Sequence, residues 1–196
     1  MKLFLSQDQI SRILNLAGEH PRDLALFQLA LSTGLRISDA LSIQRSELLD
    51  VDGSIVTVLR IKTRKTKRWV SRPLREDCRE SIRLYLQTRD DENPYLFPAR
   101  SKSCDKPAPM RPMHRASAHR IYKRYLGKIL PAGMLRGAST HTMRRSVAKL
   151  ISQRAGRVEP ATAFLGHASI ASTVAYIDMD SFEETANDIV LTELSW

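Results

Sequence analysis

The sequence predicts an α+β protein, mostly helical, with one small antiparallel β-sheet. Three observations predict it. Most segments place apolar residues at helical spacing between recognisable start and stop signals. Only one stretch alternates β-branched and polar residues, in two runs around a basic turn. No internal repeat or low-complexity segment interrupts the pattern, and 196 residues suit a single domain able to bury a core without disulfides.

"LSQDQISRIL" opens the first helix, with Ser6 as N-cap and Gln9 placed for a capping box. "PRDLALFQLALSTGLR" follows; Leu24, Phe27 and Leu31 mark its apolar face, and Thr33-Gly34 its stop. A further helix starts near Ile37 and continues through "SDALSI". "SIVTVLRI" and "KRWVSRPL" read as strands, with the basic "KTRKT" as the hairpin turn or its flank. "REDCRESIRLYLQTR" returns to helical spacing. Pro94, Pro98, Pro107, Pro109 and Pro112 then mark a loop of basic character. "HRASAHRIYKRYLGKIL" and "THTMRRSVAKLISQRAG" are basic amphipathic helices, the second ended by Gly156. "EPATAFLG" is a short helix with Pro160 in its first turn. The tail "SFEETANDIVLTELSW" forms an acidic amphipathic helix over about residues 181–194.

Charge narrows the class of function. Lys+Arg 31 against Asp+Glu 21 gives a net +10, which favours nucleic acid as a partner. A membrane role is disfavoured, because the chain has no long apolar run and no signal peptide. Cys78 and Cys104 stand alone and fit free thiols in a reducing cytoplasm. No metal is expected: two histidines without a carboxylate or cysteine cluster do not make a zinc site.

Four short motifs stand out. "STGLRISDALSI" puts Arg36 between a helix stop and the next helix. "RKTKRWVSRPL" puts Lys65 in the hairpin, eight residues before Pro73. "HTMRRS" puts His141 and Arg144 on one helix face. "LGHASIASTVAYI" carries His167 and, nine residues later, Tyr176. Each alone has an ordinary explanation: surface charges for Arg36 and Lys65, a helix cap for His141, packing for His167 and Tyr176.

Together and in this order the motifs resemble the catalytic domain of the tyrosine recombinases, the phage-integrase family. That family's pattern is an arginine in "TGLR-[IV]-S-E/D", a hairpin lysine, an H-x-x-R helix, "LGH" and a tyrosine nine residues on. The resemblance runs from about "FLSQDQ" to the tail. Two positions depart from it. Thr142 stands where the family usually has an acidic residue, and Arg145 where it often has histidine.

The resemblance implies the tyrosine-recombinase catalytic fold and site-specific DNA recombination through a covalent 3′-phosphotyrosine, by integration, excision, inversion or resolution. It implies Tyr176 as nucleophile, with Arg36 and Arg144 holding the phosphate and His141 as base. His167 would add a phosphate hydrogen bond, and Lys65 would protonate the leaving oxygen. No metal, ATP or other cofactor is required. A DNA-relaxing type IB topoisomerase, or a DNA-binding regulator with an inactive site, are the alternatives. The partner is double-stranded DNA, bound by a homo-oligomer, a tetramer, on paired sites, with accessory DNA-bending proteins. Candidate DNA contacts are Arg120, Lys123, Arg124 and Lys128, on a helix that also carries His119, together with Lys67 and Arg68 in the hairpin and Arg145. The expected arrangement is one catalytic domain over residues 1–196, without the N-terminal DNA-clamping domain of the family. The expected location is the cytoplasm, on the nucleoid, of a bacterium or its phages and plasmids.

Overall fold

A computed structural model describes residues 2–100 and 110–177. Eight α-helices and two strands are present among them. In chain order the elements are α1 (Gln7–Ala17), α2 (Pro21–Thr33), α3 (Ile37–Ala40), β1 (Val58–Lys62), β2 (Trp69–Pro73) and α4 (Glu76–Gln87). After the proline-rich loop come α5 (Arg115–Ile129), α6 (His141–Ala155), α7 (Glu159–Leu165) and α8 (Ile170–Ile177). The expected tail helix lies outside the described residues.

Local chemistry accounts for the ends of these helices. Ser6 accepts from the backbone N–H of Gln9 at 3.2 Å while the Gln9 side chain accepts from the Ser6 N–H at 3.0 Å, the reciprocal pair that starts α1. Gly34 and Gly156 end α2 and α6 in the left-handed conformation that a Cβ disfavours.

Helix α2 lies at the centre. It packs against α1, α4, α6 and β2, so Ala25, Leu26, Phe27 and Leu29 are all fully or almost fully buried. The single apolar face expected of Leu24, Phe27 and Leu31 is therefore too narrow; Leu24 and Leu31 lie at the margin. Across from α2, Phe27 meets Tyr122 of α5 at 4.9 Å and Tyr125 edge-on at 5.1 Å. Two apolar clusters result. The large one runs from Leu3 to Met143, and a small one joins Ala148, Ala161, Leu165 and Ile177.

Two boundaries differ from the sequence reading. The helix expected through Ile43 is one turn long, because the Ile43 carbonyl accepts from Leu96 N–H at 2.8 Å and Gln44 pairs with Tyr95. The sheet is shorter than its two apolar runs: Val58 pairs with Pro73 and Lys62 with Trp69, while Ile55 makes an isolated bridge to Leu49.

Candidate active site

Arg36 caps α3 with extended backbone, flanked by the buried Leu35 and Ile37, so its stem rests on the main core. The sharp exit from α2 that puts it there depends on Gly34. A Cβ on Gly34 would fall 2.3 Å from the Phe164 ring. The Gly34 carbonyl also accepts from Arg144 Nη1.

Arg144 is buried, and its Nη2 donates to the Leu165 carbonyl at 2.6 Å. One guanidinium thus ties the end of α2 to the end of α7. Burial lowers its proton affinity, as does Arg36 nearby, whereas Tyr176 raises it; the outcome is about 10, still cationic at neutral pH.

Tyr176 projects from α8 into the same place. Its hydroxyl lies 3.2 Å from His141 Nδ1 and within hydrogen-bond reach of Arg144. Burial raises the pKa of the phenol; Arg144, Arg145 and Arg36 pull against that rise. His141 stands at the start of α6, where Ser139 accepts its backbone N–H. Its pKa is held below the ordinary histidine value, first by burial and then by Arg144, Arg145, Arg36 and Arg115. The ring is therefore neutral at pH 7, able to accept a proton. His167 follows the α7 stop at Gly166 and pairs with Thr173 through Nδ1 at 3.1 Å. It meets the Tyr176 ring edge-on at 5.3 Å.

Lys65 sits in the hairpin turn. Thr63 and Thr66 share a 2.6 Å hydrogen bond beneath it, and Lys67 takes a positive φ of 56° to close the turn. The buried Asp39 accepts from the Arg64 N–H at 2.9 Å, which fastens this turn to α3. Lys65 is close enough to His167 to lower that ring's pKa, after burial, Arg144 and Arg36. Arg36, Lys65, His141, Arg144, His167 and Tyr176 thus converge. No group of three or more potential metal ligands occurs among the described residues.

The candidate DNA contacts divide. Arg120 lines a groove of about 770 Å³ together with Arg64, Arg100, Arg111, Arg115 and Arg124, and no acidic side chain lines it among the described residues. Arg124 is bonded to the buried Asp23, and Lys128 stands over the Tyr125 ring at 5.8 Å, so both also serve α5 packing. Lys123, Lys67 and Arg68 are exposed. Arg145 is partly buried, and its Nε has no acceptor among the described residues. The sequence reading missed Arg64, Arg100, Arg111 and Arg115. The last three flank the proline-rich loop, whose basic character was the available signal.

The fold and this convergence define a class, and comparison with known proteins agrees. The chain belongs to the phage integrase family, matching it over residues 3–182. It is 29% identical over 161 residues to the tyrosine recombinase XerC of Chromobacterium violaceum, covering 81% of this chain and 48% of that protein. It is 29% identical over 167 residues to the probable integrase/recombinase YoeC of Bacillus subtilis, covering 84% of this chain and 82% of that one. Apart from YoeC, the chain spans about half the length of the curated relatives named here. The crystal structure of XerA recombinase superposes with a TM-score of 0.74 at 20% identity, over all of this chain and 66% of that one. The XerH recombinase bound to palindromic difH substrate, a post-cleavage complex, gives 0.72 at 18% identity, over 97% of this chain and 54% of that one. At these identities the likeness is one of fold. No described helix is long and apolar enough to cross a membrane.

Proposed function

We propose that the chain cuts and rejoins duplex DNA at specific sites through a 3′-phosphotyrosine formed by Tyr176. The observation that carries this reading is the placement of the Tyr176 hydroxyl, 3.2 Å from His141 Nδ1 and beside the Arg144 guanidinium. A buried phenol with a raised pKa is a poor nucleophile until its proton is taken as it attacks, and His141 is the group in reach. Arg36 and Arg144 supply fixed positive charge for the non-bridging oxygens, where charge gathers in the transition state. His167 adds a donor there. Lys65 protonates the departing 5′ oxygen, which would otherwise leave as an unstable alkoxide. The phosphotyrosine retains the energy of the broken bond, so the reverse attack by a 5′ hydroxyl reseals the strand without a nucleotide cofactor.

DNA binding is assigned to the arginine groove beside α5, with Arg115 and Arg120 contacting the duplex and Lys67 and Arg68 approaching from the hairpin. Assembly as a homo-tetramer on paired sites, help from DNA-bending proteins and residence on the nucleoid in the cytoplasm complete the proposal. The likeness in fold to the XerH recombinase bound to difH substrate supports the DNA-binding part of this reading. Tyr176→Phe removes only the hydroxyl and is expected to bind DNA normally while forming no covalent complex on a nicked suicide duplex. A denaturation-resistant complex in that variant would refute the assignment.

A further inference from the structure

Arg72 lies on β2 opposite Leu59. Leu59 and Ile61 point into the core, at 0% and 3% exposure. The inward position beside them suits an apolar side chain, yet it holds a guanidinium, half-buried. The Arg72 Nη2 rests against the turn that precedes His167, 3.2 Å from where a Cβ on Gly166 would stand. Its buried Nε has no acceptor, and no carboxylate pairs with Arg72 among the described residues. Among the described residues, its charged neighbourhood includes the guanidinium of Arg144. Arg72 and Arg36 both depress the proton affinity of Arg144.

An unpaired, half-buried charge destabilises a fold, and adjacent guanidiniums repel one another. A bound anion relieves both effects. We propose that Arg72 is a phosphate-binding residue of the strand-cleaving site, donating to a non-bridging oxygen of a DNA backbone phosphate, the scissile one or its immediate neighbour. This rests on the assignment of Tyr176 and its partners as that site. Arg72 stands inside the hairpin motif, one residue before the proline that sets the count to Lys65, but only that lysine was singled out there.

Arg72→Leu tests it, because leucine suits the inward position. The thermal midpoint of the variant should equal or exceed that of the wild type, while anion binding falls. Inorganic phosphate, compared with chloride at matched ionic strength, should raise the wild-type midpoint and raise the variant's much less. The second arm uses a nicked suicide duplex whose crossover sequence is recovered by covalent capture from a random library. There the variant should form covalent complex roughly tenfold to a hundredfold more slowly, as for loss of one hydrogen bond to a charged group. Single uncharged methylphosphonates, placed at the scissile phosphate or at either neighbour, locate the contact. The wild-type to variant ratio should collapse toward unity on the duplex that lacks the charge Arg72 meets. The proposal is overturned if the variant keeps the full phosphate-dependent gain, or if the ratio stays the same on all three duplexes. Should Arg72→Leu fail to fold, Arg72→Lys, which keeps the charge and loses the fork, replaces it with the same readouts. A wild-type chain that forms no covalent complex would refute the assignment of the site, and the phosphate arm would still decide the role of Arg72.

Discussion

Arg36 and Tyr176 belong to one candidate site but rest on different foundations. Arg36 stands between Leu35 and Ile37, which belong to the large cluster around α2. Tyr176 stands on α8, eight residues long, whose anchor is Ile177 in a small cluster with Ala148, Ala161 and Leu165. Helix α6 belongs to both: Met143 enters the large cluster and Ala148 the small one, and Arg144 between them bonds to carbonyls on each side. Few buried apolar contacts mean low local stability. Among the described residues, Arg36 is therefore built on the large cluster and Tyr176 on the small one, where local stability is expected to be lower.

The comparison can be broken at four points, given from the largest expected effect. Phe27→Ala removes a fully buried ring and should destabilise the chain by about 3–5 kcal/mol, seen in urea unfolding followed by circular dichroism. A loss confined to α8 would contradict the central place of α2. Gly34→Ala forces a side chain into left-handed backbone and against Phe164, for about 2–4 kcal/mol. It should also slow covalent-complex formation, because the Gly34 carbonyl holds Arg144; pairing it with Phe164→Ala should restore part of the stability.

Ile177→Ala should cost about 2 kcal/mol, at the low end for an isoleucine because a small cluster can relax. Hydrogen exchange should quicken in α8 while α2 amides keep their protection. Equal loss in both would show that the two clusters form one cooperative unit. The smallest effect concerns His141. Its resonance in a histidine NMR titration should move with a pKa below the ordinary value of 6.5. Because the folded pKa is the lower one, the stability tied to the neutral ring is complete above pH 6.5 and is lost as pH falls through the folded pKa. A His141 pKa above 6.5 would mean that the ring is not held neutral by burial and its arginine neighbours.

Local signals made the helices legible. The capping box at Ser6, the glycine stops at Gly34 and Gly156, and Pro160 at the start of α7 are short-range chemistry, and the structure reproduces each. Tertiary packing was not legible. The burial of α2 on several sides follows from neighbours distant in sequence, and α3 stops after one turn because Ile43 is claimed by Leu96. The motif residues converge as their order implied. Lys67 closes the hairpin turn at a positive φ of 56°, two residues after Lys65. Arg64 and Arg72 were missed because nothing in one dimension shows which face of a hairpin an arginine will take, or which charges will stand beside it.

Asp23 carries a consequence for DNA affinity. This single buried carboxylate accepts from Arg22, Arg124 and the Tyr125 hydroxyl, and both arginines border the groove assigned to DNA. An arginine whose charge Asp23 already offsets neutralises a DNA phosphate only in part, so it frees fewer of the cations condensed on the DNA. A DNA phosphate arriving there competes with Asp23 and displaces few ions into bulk. The salt dependence of binding should then be shallower than the number of arginines in the groove suggests. Arg124 joins α5 to α2 through Asp23 and also borders the groove proposed for DNA, so a DNA contact there would draw on the same guanidinium.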